Sequence, residues 1–151
     1  GNRITMEGVD KREAAYVFSI KKKEKAPVLV NSSQPLNNLL AEKLAEGLRS
    51  QGLEVGNSGT TNLTLAISTA AVTVEEKTFT YVTKSKVSLQ VIADFQGNKL
   101  TKQFNMSSSK EEPGEPTMAD LESTLNQQLG SVLQQIMADE ALRGYLKGQP
   151  S

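Results

Sequence analysis

The stretch that decides the fold runs from Val87 to Met106, VSLQVIADFQGNKLTKQFNM. Apolar and polar side chains alternate from Val87 to Phe95, which predicts a β-strand with one face on the core. The return arm, Lys99–Met106, alternates again. Between the two arms, Gln96-Gly97-Asn98 predicts a tight turn, because glycine and asparagine tolerate positive φ angles. The stretch is therefore expected to be a long β-hairpin, and none of its side chains is typical of a reacting group.

Other segments also have strand character, namely Arg3–Val9, Ala15–Ile20, Val28–Val30 and Asn62–Val74. In the last of these the apolar residues change parity midway, which predicts a β-bulge near Thr69–Ala71. Phe79 and Tyr81 share the parity of the hairpin's first arm, so Thr78–Phe95 is expected to be one long strand. Ser107–Glu115 is expected to be a polar loop, because it contains a Pro-Gly pair.

Two longer segments have the 3.6-residue periodicity of amphipathic helices. The first carries an apolar stripe formed by Leu36, Leu39, Leu40, Leu44 and Leu48. Ser32 or Ser33 is expected to cap this helix, with Pro35 in its first turn and Gly52 at its end.

The second helix is expected to begin at Pro116 or Thr117. Its apolar stripe consists of Met118, Leu121, Leu125, Leu129, Val132 and Ile136. Gly130 lies beside the stripe, which favours close packing against a neighbouring element over a hinge. Asp139 is expected to cap a short last helix, Glu140–Lys147.

These elements predict an α+β fold in two layers: a mixed, largely antiparallel sheet with both long helices packed on one face. The first strand, the Leu36–Leu48 helix and the strand containing Leu63 are expected to form a βαβ-like unit. The chain has 151 residues, a length typical of a single domain, and residues 1–151 are expected to form one domain.

The composition excludes several classes of function. The chain has 17 basic and 17 acidic residues, so it has no net positive charge that would attract nucleic acid. Its aromatic residues are too few to build a surface on which bases or sugars stack. The absence of cysteine and histidine removes thiol nucleophiles, histidine relays and nearly all zinc sites. No apolar run is long enough to span a bilayer. We therefore expect no cofactor and no enzymatic activity.

Three groups of charged residues are candidate sites. Glu75 and Glu76 are adjacent, so they are expected to point apart, unlike a general acid–base pair. The lysines of Lys21–Lys25 fit a solvated hairpin tip better than a phosphate or lipid-headgroup patch. Asp10 and Arg12 follow the first strand, where pairing with neighbours is favoured over contact with a partner or ligand.

Taken together, these segments resemble the YajG family of small bacterial lipoproteins. The resemblance covers nearly the whole chain and rests on Gly8-Val9-Asp10-Lys11-Arg12, the Leu36–Gly52 helix followed by Leu53-Glu54-Val55, the strand opened by Asn62-Leu63, Gly97-Asn98-Lys99-Leu100-Thr101-Lys102, and the Ala119–Met137 helix. It implies a signal peptide, a lipidated N-terminal cysteine and attachment to the periplasmic face of the outer membrane. This sequence departs from the pattern in having no cysteine, and truncation behind the lipidation site would explain that absence and the opening Gly1.

The leading hypothesis is a non-enzymatic periplasmic lipoprotein domain that binds a protein partner or helps to organise the envelope. Its basis is the missing catalytic inventory together with sheet edges that can accept a strand. The alternative is a carrier or binder of a small molecule, a lipid or a peptidoglycan fragment, which requires an apolar cavity of at least about 300 Å³.

Overall fold

The longest strand lies at the centre of a seven-stranded mixed sheet in a computed structural model of the chain, which describes residues 3–148. The expectation about Gly1 lies outside this part. In chain order the elements are β1 (Arg3–Asp10), β2 (Tyr16–Lys21), β3 (Val28–Asn31), α1 (Leu36–Ser50), β4 (Glu54–Gly56), β5 (Thr61–Glu76), β6 (Tyr81–Phe95), β7 (Asn98–Glu112), α2 (Met118–Ala138) and α3 (Glu140–Leu146).

Strand β5 is paired on both edges. On one edge β6 runs antiparallel to it over its full length, and β7 extends that ladder. On the other edge β1 pairs in parallel with the first half of β5 and β2 pairs in parallel with the second half. The short strands β4 and β3 lie outside β1 and β2. Two strands thus lie end to end beside β5.

The expected mixed sheet with helices is confirmed, and its largely antiparallel character is confirmed only in part. The ladder β5–β6–β7 is antiparallel, whereas β1, β2 and β4 form parallel pairs. The parallel β1–β5 pair follows from the predicted βαβ connection through α1, which returns the chain to the same end of the sheet. Helix α1 packs on β1, β4 and β5, and α2 packs on β5, β6 and β7.

The predicted hairpin is confirmed, and its return arm is longer than expected. Gln96 and Gly97 occupy the turn with φ angles of 54° and 85°, so Asn98 begins β7 instead of completing the turn. Strand β7 continues to Glu112, through most of the predicted polar loop. This difference arises because backbone hydrogen bonds to β6 hold an edge strand whatever its side chains are.

Two details of β5 and β6 differ from the sequence prediction. The register shift in β5 lies between Ile67 and Thr69, one residue earlier than the predicted bulge. Strand β6 begins at Tyr81, and Phe79 lies in the β5–β6 turn, not in a strand. The prediction of a strand from Thr78 failed because a turn residue next to a strand can share the strand's alternation by chance.

Three of the predicted helix-end signals are confirmed. Gly52 ends the first helix with φ 89°, Thr117 forms a capping box with Asp120, and Asp139 accepts a 2.9 Å hydrogen bond from the backbone of Leu142. The predicted serine cap of α1 is wrong, since Pro35 is the N-cap and no side chain bonds there.

Two glycines, Gly8 in β1 and Gly130 in α2, have opposite environments. A Cβ atom on Gly8 would overlap the backbone carbonyl of Asn37 in α1, and the Asn37 side-chain amide donates to the Gly8 carbonyl oxygen at 3.0 Å. Gly130 has nothing within 4 Å of a Cβ position. The predicted close packing at Gly130 is therefore wrong, and the close approach of a helix occurs at Gly8 instead.

Alanine substitutions at these two glycines should change stability in opposite directions. Gly8→Ala should lower the free energy of unfolding by about 1–3 kcal/mol, because α1 must move away from β1. Gly130→Ala should raise it by about 0.5–1 kcal/mol, because alanine favours an open helical position. Denaturant unfolding measures both values, and equal effects of the two substitutions would contradict the packing described.

Candidate functional site

The predicted pair Asp10 and Arg12 lies where the chain passes from β1 to β2. The Arg12 guanidinium donates to both carboxylate oxygens of Asp10, at 3.0 Å from Nε and 2.8 Å from Nη2, and the Arg12 backbone N–H donates to Oδ1 at 3.0 Å. Nη1 also donates to the carbonyl oxygen of Tyr16 at 3.4 Å. The Arg12 side chain is only 9% exposed, against 32% for Asp10. The structure thus brings the two predicted residues together as one ion pair.

The electrostatics of this pair match its geometry. The side-chain hydrogen bonds from Arg12 lower the pKa of the Asp10 carboxyl below its usual value, against the opposing effect of partial burial. The pair bridges the break between β1 and β2, because Asp10 ends β1 and Arg12 reaches the carbonyl of Tyr16, the first residue of β2. Between the two residues, the Lys11 backbone N–H donates to the Ile67 carbonyl of β5 at 2.9 Å. Contact of Asp10 and Arg12 with a partner or ligand stays a prediction.

A polar hollow of about 490 Å³ adjoins the pair. It lies between β1 and β2, against the bulged part of β5, and is lined by Lys11, Arg12, Glu13, Tyr16, Ser68 and Thr69 among others. The guanidinium that lines it is already neutralised by Asp10. The hollow therefore lacks an unpaired arginine for binding an anion.

The ion pair gives a testable dependence of stability on pH. Because the pKa of Asp10 is lower in the folded chain than in the unfolded chain, its contribution is present above about pH 4 and is lost as the pH falls through the folded-state value. Asp10→Asn should lower the free energy of unfolding at neutral pH by roughly 1 kcal/mol and flatten its fall in acid.

Glu13→Gln in the same loop is the matched control, since Glu13 takes no part in the pair. Urea unfolding at several pH values measures both variants. An acid profile of Asp10→Asn identical to that of the unmodified chain would contradict the assignment.

The α1–α2 groove is a second concave region, of about 510 Å³. Its apolar wall consists of Leu39, Leu40, Leu129 and Leu133, and its polar wall includes Lys43 and Asn126. Gly130 opens into the groove, which explains the empty space at its Cβ position. The volume falls in the range of small-molecule sites, about 300–1,000 Å³.

The far end of the sheet carries a network of polar contacts, which we call the distal tip (residues 21–25, 75–81 and 110–115). Glu76 accepts a 2.9 Å hydrogen bond from the backbone of Lys23 and a 3.0 Å bond from the Tyr81 hydroxyl. These bonds lower the pKa of Glu76, the backbone bond from Lys23 contributing most. Lys22 forms a 2.7 Å ion pair with Glu115, which raises the pKa of that lysine.

Phe79 projects from the distal tip with 87% of its surface exposed. Its turn is held by a 2.7 Å backbone hydrogen bond from Lys77 to Thr80, and the Thr80 hydroxyl donates to Glu111 at 2.6 Å. A large aromatic ring is thus held in solvent on an ordered turn. A phenylalanine in strand phase predicts burial, so only the neighbouring charged residues indicate this exposure in the sequence.

The other charged candidates behave as ordinary surface groups. Glu75 pairs with Lys77 at 3.1 Å, while Glu76 bonds across the strand to Tyr81, so the two carboxylates do not act together. Within residues 3–148 no group of three or more acidic side chains is arranged to hold a metal ion. In the same part of the chain no helix is both long enough and apolar enough to cross a membrane.

Comparison with known proteins identifies a family. A family model described as an uncharacterised lipoprotein matches residues 1–147. A search of curated proteins finds no match.

The fold itself occurs in solved structures of low sequence identity. A DUF330 protein from Xanthomonas campestris aligns with a TM-score of 0.71 at 9% identity, covering 98% of this chain and 87% of that one. A hypothetical protein from Chlamydia trachomatis gives a TM-score of 0.50 at 8% identity, covering 97% and 98%. A minor lipoprotein from Acinetobacter baumannii gives 0.48 at 16% identity, covering 89% and 94%.

Proposed function

The chain belongs to the YajG-like family of uncharacterised lipoproteins, and from this membership we propose that it is a non-catalytic, lipid-anchored domain that binds a protein partner at the periplasmic face of the outer membrane. Family membership implies association with the envelope. The partner, the leaflet and the non-catalytic role belong to the proposal.

The exposed Phe79 ring is the observation that carries the proposal. An aromatic side chain that is 87% exposed costs solvation free energy unless another surface covers it. Protein interfaces concentrate their binding energy in such aromatic anchors surrounded by a polar rim. The hydrogen-bonded charged residues of the distal tip provide that rim, and the ordered turn lowers the entropy lost on binding.

The position of Phe79 in the fold suits contact away from a membrane. Ile4 in β1 pairs with Thr61 at the start of β5, and Phe79 follows the end of β5. The 16 residues of β5 span roughly 50 Å at about 3.3 Å per residue. A lipid anchor preceding β1 would therefore leave the distal tip at the far end of the domain.

The charge around Phe79 favours a protein over an anionic membrane. Lysines at 21, 22, 23, 25, 77 and 110 are matched by glutamates at 24, 75, 76, 111, 112 and 115. Binding to anionic headgroups gains from an excess of basic residues, which this surface lacks. Mixed charge instead provides directional pairing with a protein surface.

Phe79→Ser should reduce capture of the partner about tenfold or more, because it removes the apolar anchor and leaves the polar rim in place. The measurement is quantitative mass spectrometry of proteins captured from envelope extracts by the immobilised chain. Leu29→Ser on β3 is the matched control, since Leu29 is 56% exposed but lies outside the distal tip.

Three results would count against the proposal. These are equal capture by the Phe79→Ser and Leu29→Ser variants, no enrichment of any protein by the unmodified chain, and Phe79-dependent binding to vesicles containing anionic lipid. The last result would favour a membrane contact at the distal tip.

A second candidate function, carriage of a small apolar molecule, is favoured by the α1–α2 groove. Its volume and leucine wall suit an alkyl chain, and Gly130 leaves room for one. Gly130→Phe would fill the groove from the solvent side of α2. Binding of a fluorescent fatty acid that this substitution abolishes would support carriage, and binding that it leaves unchanged would exclude the groove as the site.

A further inference from the structure

We propose that the outer edge of β7 is a homodimerisation surface, on which β7 of a second copy pairs antiparallel about a two-fold axis at Asn105. This inference does not depend on Phe79 or on the family. It rests on an unpartnered strand edge and on the order of charges along it.

Strand β7 is the long open edge of the sheet. All 15 of its residues are in register with β6, and on its other side no strand within residues 3–148 pairs with it. The opposite margins of the sheet end in β3 and β4, which have four and three residues. An open edge exposes a row of unpaired backbone groups and is a template for another strand.

Two of the devices that protect an edge strand from pairing, a proline and a β-bulge, are missing in β7. It contains no proline, and its register with β6 shows no bulge. With 15 residues, the strand is also longer than the usual range of about 3–10 residues. Lysines are present, but their positions relative to the glutamates allow complementary pairing.

The hydrogen-bond pattern restricts how two copies of β7 can pair. Phe95 and Asn98 flank a two-residue turn, so even-numbered residues of β7 direct their backbone groups to β6. The odd-numbered residues from Lys99 to Glu111 therefore direct theirs outward. Only registers that place odd residues opposite odd residues join the two edges.

Among these registers, the one centred on Asn105 uses the whole strand. It places Lys99 opposite Glu111 on both sides of the axis, and it places Phe104 opposite Met106. If the two-fold axis lay at Met106 instead, Lys102 of one copy would lie opposite Lys110 of the other. Like charges directly opposite each other are destabilising. If the axis lay at Phe104, Glu111 of one copy would lie opposite Gly97 in the turn of the other, and Lys99 would lose its partner. The sequence of β7 is thus self-complementary, as a two-fold interface requires.

A cysteine placed at the axis tests the register directly, because the chain contains no cysteine. Hydrogen-bonded antiparallel partners have Cα atoms about 5.5 Å apart, within the range of a disulfide. Asn105→Cys should therefore form a disulfide-linked dimer under mild oxidation. Gln103→Cys is the matched control, since the two copies of residue 103 would lie about 14 Å apart and should not link.

Charge reversal provides the second arm, measured by sedimentation equilibrium of the cysteine-free chain. We expect a reversible dimer whose dissociation constant rises about tenfold in Lys99→Glu. The double variant Lys99→Glu with Glu111→Lys should restore it, because both cross-strand pairs become attractive again. Circular dichroism of each variant verifies that the fold is retained.

The proposal is overturned if the chain sediments as a monomer at every concentration reached, if residues 103 and 105 link equally well, or if Lys99→Glu leaves the dimer unchanged. Occupation of β7 by a strand from another protein in place of a second copy would also overturn it. Each of these results leaves the proposed role of Phe79 untouched, since that residue lies outside β7.

Discussion

The backbone pairing of β5 on both edges is the constraint on which the rest of the structure depends. Residues of β5 from Leu63 to Val74 supply the centre of the buried core, and both long helices pack on the sheet that β5 organises. The bulge near Ser68 and the break between β1 and β2 occur at the same level of the sheet, so the two irregularities accommodate each other. Asp10 and Arg12 close that gap with an ion pair where a continuous strand would have used backbone hydrogen bonds.

The C-terminal helix then locks the hairpin to the core. The Tyr145 hydroxyl accepts a 2.9 Å hydrogen bond from the Phe95 backbone N–H and donates to the Asn98 carbonyl. It therefore bonds to both residues that flank the turn. Lys102 of β7 pairs with Asp139 at 2.6 Å, at the residue that caps α3. Burial opposes ionisation of Asp139, but the bonds from Lys102 and Leu142 outweigh it and lower the pKa. These contacts with α3 and its cap help to hold the polar edge strand β7 beside β6.

Periodicity predicted most of the fold because side-chain burial has a fixed period in each element. The hairpin, both long helices, the cap at Asp139 and the βαβ unit were all predictable on that basis. Gly8 could be recognised as part of the family pattern. The need for glycine there arises from the close approach of Asn37 in α1, which is distant in sequence and could not be predicted. The extension of β7 through Ser107–Ser109 was missed because backbone pairing with β6 needs no apolar side chain. Asp10 and Arg12 were predictable as neighbours, whereas the exposure of Phe79 depends on where a turn ends.

Site-resolved hydrogen exchange of the backbone amides measures whether the β5–β6–β7 ladder is the most stable part of the fold and whether β7 is its open edge. We expect the β5 and β6 amides to exchange slowest, at rates set by global unfolding. In dilute solution β7 should alternate, with slow exchange at even-numbered residues and fast exchange at odd-numbered residues from Lys99 to Glu111. Exchange in β5 faster than in α2, or uniform protection along β7 at every concentration, would contradict the account.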